Sequence, residues 1–183
     1  MTRFYLIRHG EPDWNLTLEK NLHPCRHDFV PLTARGITQA EEICSRYTFP
    51  EADIIVASPY TRALQTAAIL AKKLSLPLSV EYDLHERLPD TTFAVNTREE
   101  LFRLCGQWEA SAGTRDETSG PWESLDLIRK RILIVFRRYL SHRGVIVVFH
   151  ELAMRSLLGI DERISYCEVR MLPDEDLFSQ ERL

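Results

Sequence analysis

Apolar residues come in short unbroken runs at Phe4 to Ile7, Ile54 to Ala57 and Val145 to Phe149, each closed by polar or turn residues. A run of that length without polar alternation predicts a strand covered on both faces, as in a parallel sheet. Between the runs the apolar positions change to helical spacing. From Thr33, a good capping residue, to Tyr47, the side chains of Ala40, Ile43 and Cys44 share a face. From Thr61 to Leu74, the positions Leu64, Ala67, Ala68, Ala71 and Leu74 do the same. Pro77 stops that helix, and Leu78 to Tyr82 reads as another strand. Thr97 to Ala110 and Trp122 to Leu140 read as further helices, separated by the loop-like SAGTRDETSGP. Strands alternating with helices predict an α/β fold, a three-layer α/β/α sandwich with a mostly parallel central sheet. No repeat, low-complexity tract or linker divides the chain, so a single domain over residues 1–183 is expected, with the polar end PDEDLFSQERL frayed or loosely docked.

Composition narrows the class. A chain of 183 residues with 44% hydrophobic positions can bury a core unaided. Its 23 Lys+Arg against 27 Asp+Glu give a net charge of -4 without any basic run, which argues against a nucleic-acid partner. Cys25, Cys44, Cys105 and Cys167 are scattered with no CxxC pair, so a reducing cytoplasm is the simpler setting. No stretch resembles a signal-peptide core or a membrane span. A monomer or homodimer acting on a small molecule fits these properties.

In an open α/β sheet, ligands sit beyond the carboxyl ends of the strands. There the first strand delivers Arg8, His9, Gly10, Glu11 and, after a short loop, Asn15. The second delivers SPYTRALQT, with Arg62 on the first turn of the next helix. DLHER and FHELAMR follow at two later strand ends, the latter with His150. Two arginines, two histidines and a carboxylate suit a phosphate monoester. Planar guanidinium forks match its oxygens, a neutral imidazole can attack phosphorus, and a carboxylic acid can protonate the leaving alkoxide.

These stretches resemble the histidine phosphatase superfamily, the group that includes cofactor-dependent phosphoglycerate mutases. LIRHGEPDWN, LTARGITQA, ASPYTRALQTA, LHE, GPWESL and VVFH, with Arg155 and LLG after it, match in family order over most of the chain up to about Gly159. The resemblance implies a phosphoglycerate mutase-like fold. It also implies that His9 is the phosphorylated nucleophile, that Arg8, Asn15, Arg62 and His150 hold the phosphoryl group, and that Glu86 is the proton donor. Gly10 is expected to allow close approach. The implied mechanism needs neither metal nor cofactor, and its substrate is a small phosphomonoester. Phosphatase and mutase share the phosphohistidine step. The short passage from Glu86 to the helix near Thr97, with no long covering insertion, favours hydrolysis.

Several positions stay open in the sequence. Pro12 stands where the family commonly has Thr or Ser, and Glu151 where it usually has Gly. A carboxylate beside a bound dianion must turn away, be neutralised, or alter substrate preference and activity, which leaves a weakly active or non-catalytic phospho-ligand-binding regulator as the rival function. Asp83, His85 and Asp90 compete with Glu86 for the acid role. Arg155 reads as a structural or rim residue, and Glu11 as a stiffener of its loop. HPCRH, from His23 to His27, reads as a polar loop more readily than as a metal site. Trp108 and Trp122 read as packing residues, whereas Trp14 is placed to line a pocket. Arg26, Arg87 and Arg98 read as surface charges in preference to contacts for a second anionic group of a substrate.

Overall fold

The computed structural model describes residues 1–116 and 119–179 of the chain, except for the side chains of Pro24 and Cys25. Strand β1 (Arg3–Arg8) is followed by α1 (Asn15–Glu19), a 3₁₀ turn at Pro24–Phe29 and α2 (Ala34–Arg46). Then come β2 (Ala52–Ala57), α3 (Thr61–Leu74), β3 (Leu78–Val80), a 3₁₀ turn at Tyr82–Leu84, α4 (Arg98–Ala110) and α5 (Leu125–Arg137). Strand β4 (Gly144–Phe149), α6 (Glu151–Leu158), β5 (Val169–Pro173) and α7 (Asp174–Phe178) complete the order.

The sheet order is β3-β2-β4-β1-β5, and the first four strands are parallel. Alternate residues on each central strand serve opposite layers. Phe4, Leu6, Val145 and Val147 pack with Ile132 and Phe136 of α5, whereas Tyr5, Ile7, Ile146 and Val148 pack toward α2 and α3. The three layers and largely parallel sheet are those the apolar runs predict. A third apolar cluster joins Leu104 and Trp108 of α4 to Val95 and Trp122, so these two tryptophans are packing residues.

The chain's end departs from expectation. Strand β5 runs antiparallel along β1, and α7 buries Leu177, so the segment up to Ser179 is docked. The remainder of the tail, 180–183, lies outside the described residues. Helix α5 starts at Leu125 because the Ser124 side chain accepts the Leu127 N–H and caps it. Thr33 caps α2 by accepting from Gly36 N, and Thr97 caps α4 by accepting from Glu100 N. Among the described residues, no helix is long and apolar enough to cross a membrane.

Candidate active site

Strand β1 ends beside β4, so the residues that follow each strand meet. The His9 and His150 ring centroids are 5.1 Å apart. The His9 Nδ1–H donates to the Gly10 carbonyl at 2.7 Å, the tautomer that leaves the Nε2 lone pair available. Arg62 Nε donates to that Nε2 at 3.2 Å. Burial pushes the His9 pKa well below its ordinary value, and the Arg62 and Arg8 cations act in the same direction, outweighing the carbonyl contact. His150 is fully buried and likewise held neutral, first by desolvation and then by Arg62 and His9. Its Nε2 shares a 2.8 Å hydrogen bond with Ser58 Oγ, and its Nδ1 has no hydrogen-bond partner among the described residues.

The structure gives Gly10 a packing reason for being glycine. A Cβ there would lie 2.5 Å from the Gly36 carbonyl oxygen, so the close approach it permits is to the first turn of α2. Gly36 reciprocates, since its own Cβ would lie 2.2 Å from Glu11 O. Glu11 stiffens this junction through Thr33 Oγ1, which donates to its carboxylate at 3.1 Å. Pro12 is buried and bridges to Leu32.

Arg62 is only 4% exposed, too buried for a solvated helix residue. Its Nη1 donates to the His27 carbonyl, and its guanidinium carbon stands 5.3 Å from the Trp14 ring and 5.1 Å from the Tyr60 ring. Tyr60 in turn is hydrogen-bonded to the Asp28 carboxylate. Trp14 therefore borders the site, as its position implied. Asn15 stands exposed at the start of α1, and no contact joins it to His9, Arg62 or His150 among the described residues.

Glu86 is the carboxylate that reaches α6. Its Oε2 accepts from Leu152 N at 3.2 Å, and its Oε1 from Ala153 N at 3.2 Å and Arg87 N at 2.9 Å, so it occupies the positive end of that helix. Two of the three competing groups are committed elsewhere. Asp90 accepts from the backbone of Thr92, Ala94 and Val95, and buried His85 binds the Glu86 carbonyl. Arg131 holds the whole loop, donating to the carbonyls of Asp83, His85 and Glu86 while paired with Glu123 at 2.6 and 3.0 Å. Glu123 lies within GPWESL; Arg131 had no signal beyond its helix.

Arg8 faces the other way from Arg62. Its Nη1 is 2.8 Å from Glu151 Oε2 and donates to the Ile164 carbonyl at 2.5 Å, and its guanidinium lies 4.1 Å over the Tyr166 ring. Glu151 is thus paired with Arg8, in a cleft apart from the one that Arg62 and Glu86 line. Tyr166, which no motif marked, also stands 5.8 Å from His9. It is aimed there by Cys167, whose φ of 58° is left-handed and whose N–H donates to the Arg8 carbonyl at 3.0 Å. Burial pushes the Cys167 thiol up to about 12.

The remaining candidates are placed as follows. Arg155 ties off α6 on the Ile160 carbonyl, a structural role. Arg98 donates to the Thr17 carbonyl at 2.6 Å, joining α4 to α1. Arg26 is exposed, but Arg87 is not a surface charge: it lies 4.8 Å over the Trp108 ring and lines a cavity beside Glu86. His23 faces Asn96, and the His27 ring packs against Trp14. The Cys25 side chain lies outside the described residues.

This arrangement presents a neutral imidazole lone pair to a buried guanidinium, with a carboxylate and a helix N-terminus alongside. Over part of its length, 88 residues at 41% identity, the chain resembles the uncharacterized phosphatase PhoE of Bacillus subtilis; the match covers 48% of this chain and 43% of PhoE. Over 167 residues it is 28% identical to the probable phosphoglycerate mutase GpmB of Proteus mirabilis, covering 87% of this chain and 74% of that one. Its fold superposes with a TM-score of 0.71 on a mycobacterial glucosyl-3-phosphoglycerate phosphatase in complex with VO3, at 19% identity over 94% of this chain and 91% of that one. The model of the histidine phosphatase superfamily (branch 1) matches residues 4–172, and the chain belongs to that family.

Proposed function

We propose that the protein is a metal-independent phosphomonoesterase that works through a phosphohistidine on His9. The observation that carries this reading is the tautomer: Nδ1–H is fixed on the Gly10 carbonyl and the Nε2 lone pair faces Arg62. A substrate phosphoryl group takes the Arg62 donor for itself and leaves Nε2 free to attack. The P–O bond to the leaving group breaks as the N–P bond forms, and the departing alkoxide takes a proton from the Glu86 carboxylic acid. For that step one Glu86 oxygen must release an α6 N–H. Glu86, now a carboxylate, accepts a proton from a water molecule as the water oxygen attacks phosphorus. The N–P bond then breaks, inorganic phosphate leaves, and His9 and Glu86 return to their starting states. His150 stands against the far side of the cluster, where its neutral ring supports the phosphoryl group, and Arg8 and Asn15 complete the hold if they turn inward. The charge balance and cysteine pattern suit a cytoplasmic monomer or homodimer without nucleic-acid partners.

Hydrolysis of p-nitrophenyl phosphate in excess chelator tests the reading. Activity is expected to survive the chelator and to fall at least ~10³-fold in His9→Ala, since removing a nucleophile forfeits the covalent route. Denatured enzyme quenched during turnover is expected to carry acid-labile phosphate on His9. Dependence on added metal, or an active His9→Ala, rejects the mechanism. The resemblance to GpmB supports mutase-type phosphotransfer as a second reading, which predicts interconversion of 2- and 3-phosphoglycerate faster than release of phosphate from either.

A further inference from the structure

A cavity of about 260 Å³ opens beside Glu86, and two members of its wall, Arg62 and Glu86, belong to the reaction site just described. The rest of the wall is largely apolar: Leu88, Pro89, Phe93, Val95 and Leu101. Most polar groups on the wall already have partners. Asp90 is spent on the backbone of its own loop, Asp28 binds Tyr60, and Glu86 caps α6. Among the described lining residues, the buried polar atoms without a hydrogen-bond partner are Nε and Nη1 of Arg87 and Nε2 of His27.

One wall residue is held at a conformational cost. Phe93 has φ of 56°, a left-handed conformation that is unfavourable for an aromatic residue, and its side chain is 62% exposed. The loop enforces this, because the Asp90 carboxylate accepts N–H groups from Thr92, Ala94 and Val95 on both sides of Phe93. A strained backbone that holds a large apolar side chain in water beside a cavity is the pattern of a ligand contact.

We infer that this cavity receives the leaving group of the substrate. That leaving group is an aromatic or branched apolar alcohol bearing one acceptor group, such as a carboxylate, for Arg87, not a sugar or a glycerate. The inference rests on the hydrolase reading above. Size agrees: a dry cavity of about 150 Å³ holds benzene, so this one accommodates a substituted ring. Chemistry agrees as well. A hexose brings more hydroxyls than Arg87 and His27 have unpartnered atoms, and those left against Leu88, Val95 and Leu101 would lose their water without finding a partner. A ring placed between Phe93 and Leu101 loses nothing.

The test compares 2-phenylethyl phosphate with glucose 6-phosphate. Both release a primary alkoxide, so leaving-group chemistry is matched and the ratio of their kcat/KM values reports on the cavity. Burying a ring is worth roughly ten- to a hundredfold, and a preference of at least that lower size for the phenylethyl ester is expected. Phe93→Ala and Leu101→Asn are each expected to cut the ratio by about tenfold. Because both substrates are measured on one preparation, partial unfolding of a variant cancels. A benzoate-bearing analogue, 4-(2-phosphooxyethyl)benzoate, is expected to outperform the phenylethyl ester in the parent protein and to lose that advantage in Arg87→Met. Equal or better use of glucose 6-phosphate overturns the assignment of the cavity while leaving the hydrolase standing. Failure to hydrolyse either ester, with no phosphohistidine formed, overturns the hydrolase reading and this inference with it.

Discussion

Arg8 leaves the end of β1 bound to Glu151, the Ile164 carbonyl and the face of Tyr166, whereas Arg62 is held against His9. On the proposed reaction, a phosphoryl group arriving at His9 therefore competes with a built-in carboxylate for one of its two proposed guanidinium clamps. The pair is 16% and 29% exposed, so solvent screens the competition only partly. Glu151→Gln keeps the size and a weak acceptor but removes the charge. On the proposed reaction, KM for p-nitrophenyl phosphate is expected to fall about three- to tenfold, an amount typical of a partly exposed ion pair, with kcat changed less than about twofold. The inhibition constant for orthovanadate is expected to fall in parallel, and Glu151→Asp is expected to restore much of the parent behaviour. An unchanged KM and vanadate affinity would mean that Arg8 stays on Ile164 and Tyr166 whether or not Glu151 is charged. The sequence could mark Glu151 as a carboxylate in a phosphate site. Which cation it would engage depended on a loop more than ten residues downstream.

At the scale of elements, the loop that carries Glu86 is positioned by α5 through Arg131. Glu123 and Arg131 are nearly buried, at 8% and 12% exposure of their side chains, and the guanidinium also gathers three loop carbonyls. Glu123→Gln leaves the Arg131 charge buried without its partner, and a loss of about 3–5 kcal/mol in urea unfolding is expected. Because Glu86 then loses its fixed placement, kcat is expected to drop about tenfold or more while KM moves little. The double variant Glu123→Leu with Arg131→Met is expected to regain stability without regaining kcat; recovery of both would show the pair to be structural only. The legible elements were those covered on both faces, because an unbroken apolar run such as Val145 to Phe149 has few other readings. Strand β5 was missed because it is a half-exposed edge with Arg170 inside it, and α7 because Leu177 is its one fully buried contact. The site divides in the same way. His9, Arg62, Glu86 and His150 follow strand ends that a parallel sheet must bring to one edge, whereas Tyr166 and Phe93 are aimed by left-handed backbone at Cys167 and at Phe93 itself, which no periodicity encodes.

The molecule as a whole holds a group of imidazoles that resist protonation, and its stability must depend on pH accordingly. His9 and His150 have pKa values well below 6.5 chiefly through burial, and His85 is lowered for the same reason. In the unfolded chain each returns to about 6.5. Below that pH the unfolded state therefore binds protons that the folded state refuses, and stability falls as pH falls, with the full contribution present only above about pH 7. His9 and His150 together are expected to lower the unfolding free energy by about 2–3 kcal/mol between pH 7.5 and 5.5. Carboxylates do not produce this slope. Asp90, which is lowered by hydrogen bonds from its own loop, gives up its contribution only as pH drops below its ordinary 3.8. Urea unfolding at closely spaced pH values resolves the effect, to which His85 and His27, also lowered by burial, add in the same direction, and His150→Asn is expected to reduce it by about 1 kcal/mol. A flat profile across that window would mean that the fold admits protons to these rings, and that His9 does not enter the reaction as a permanently neutral nucleophile.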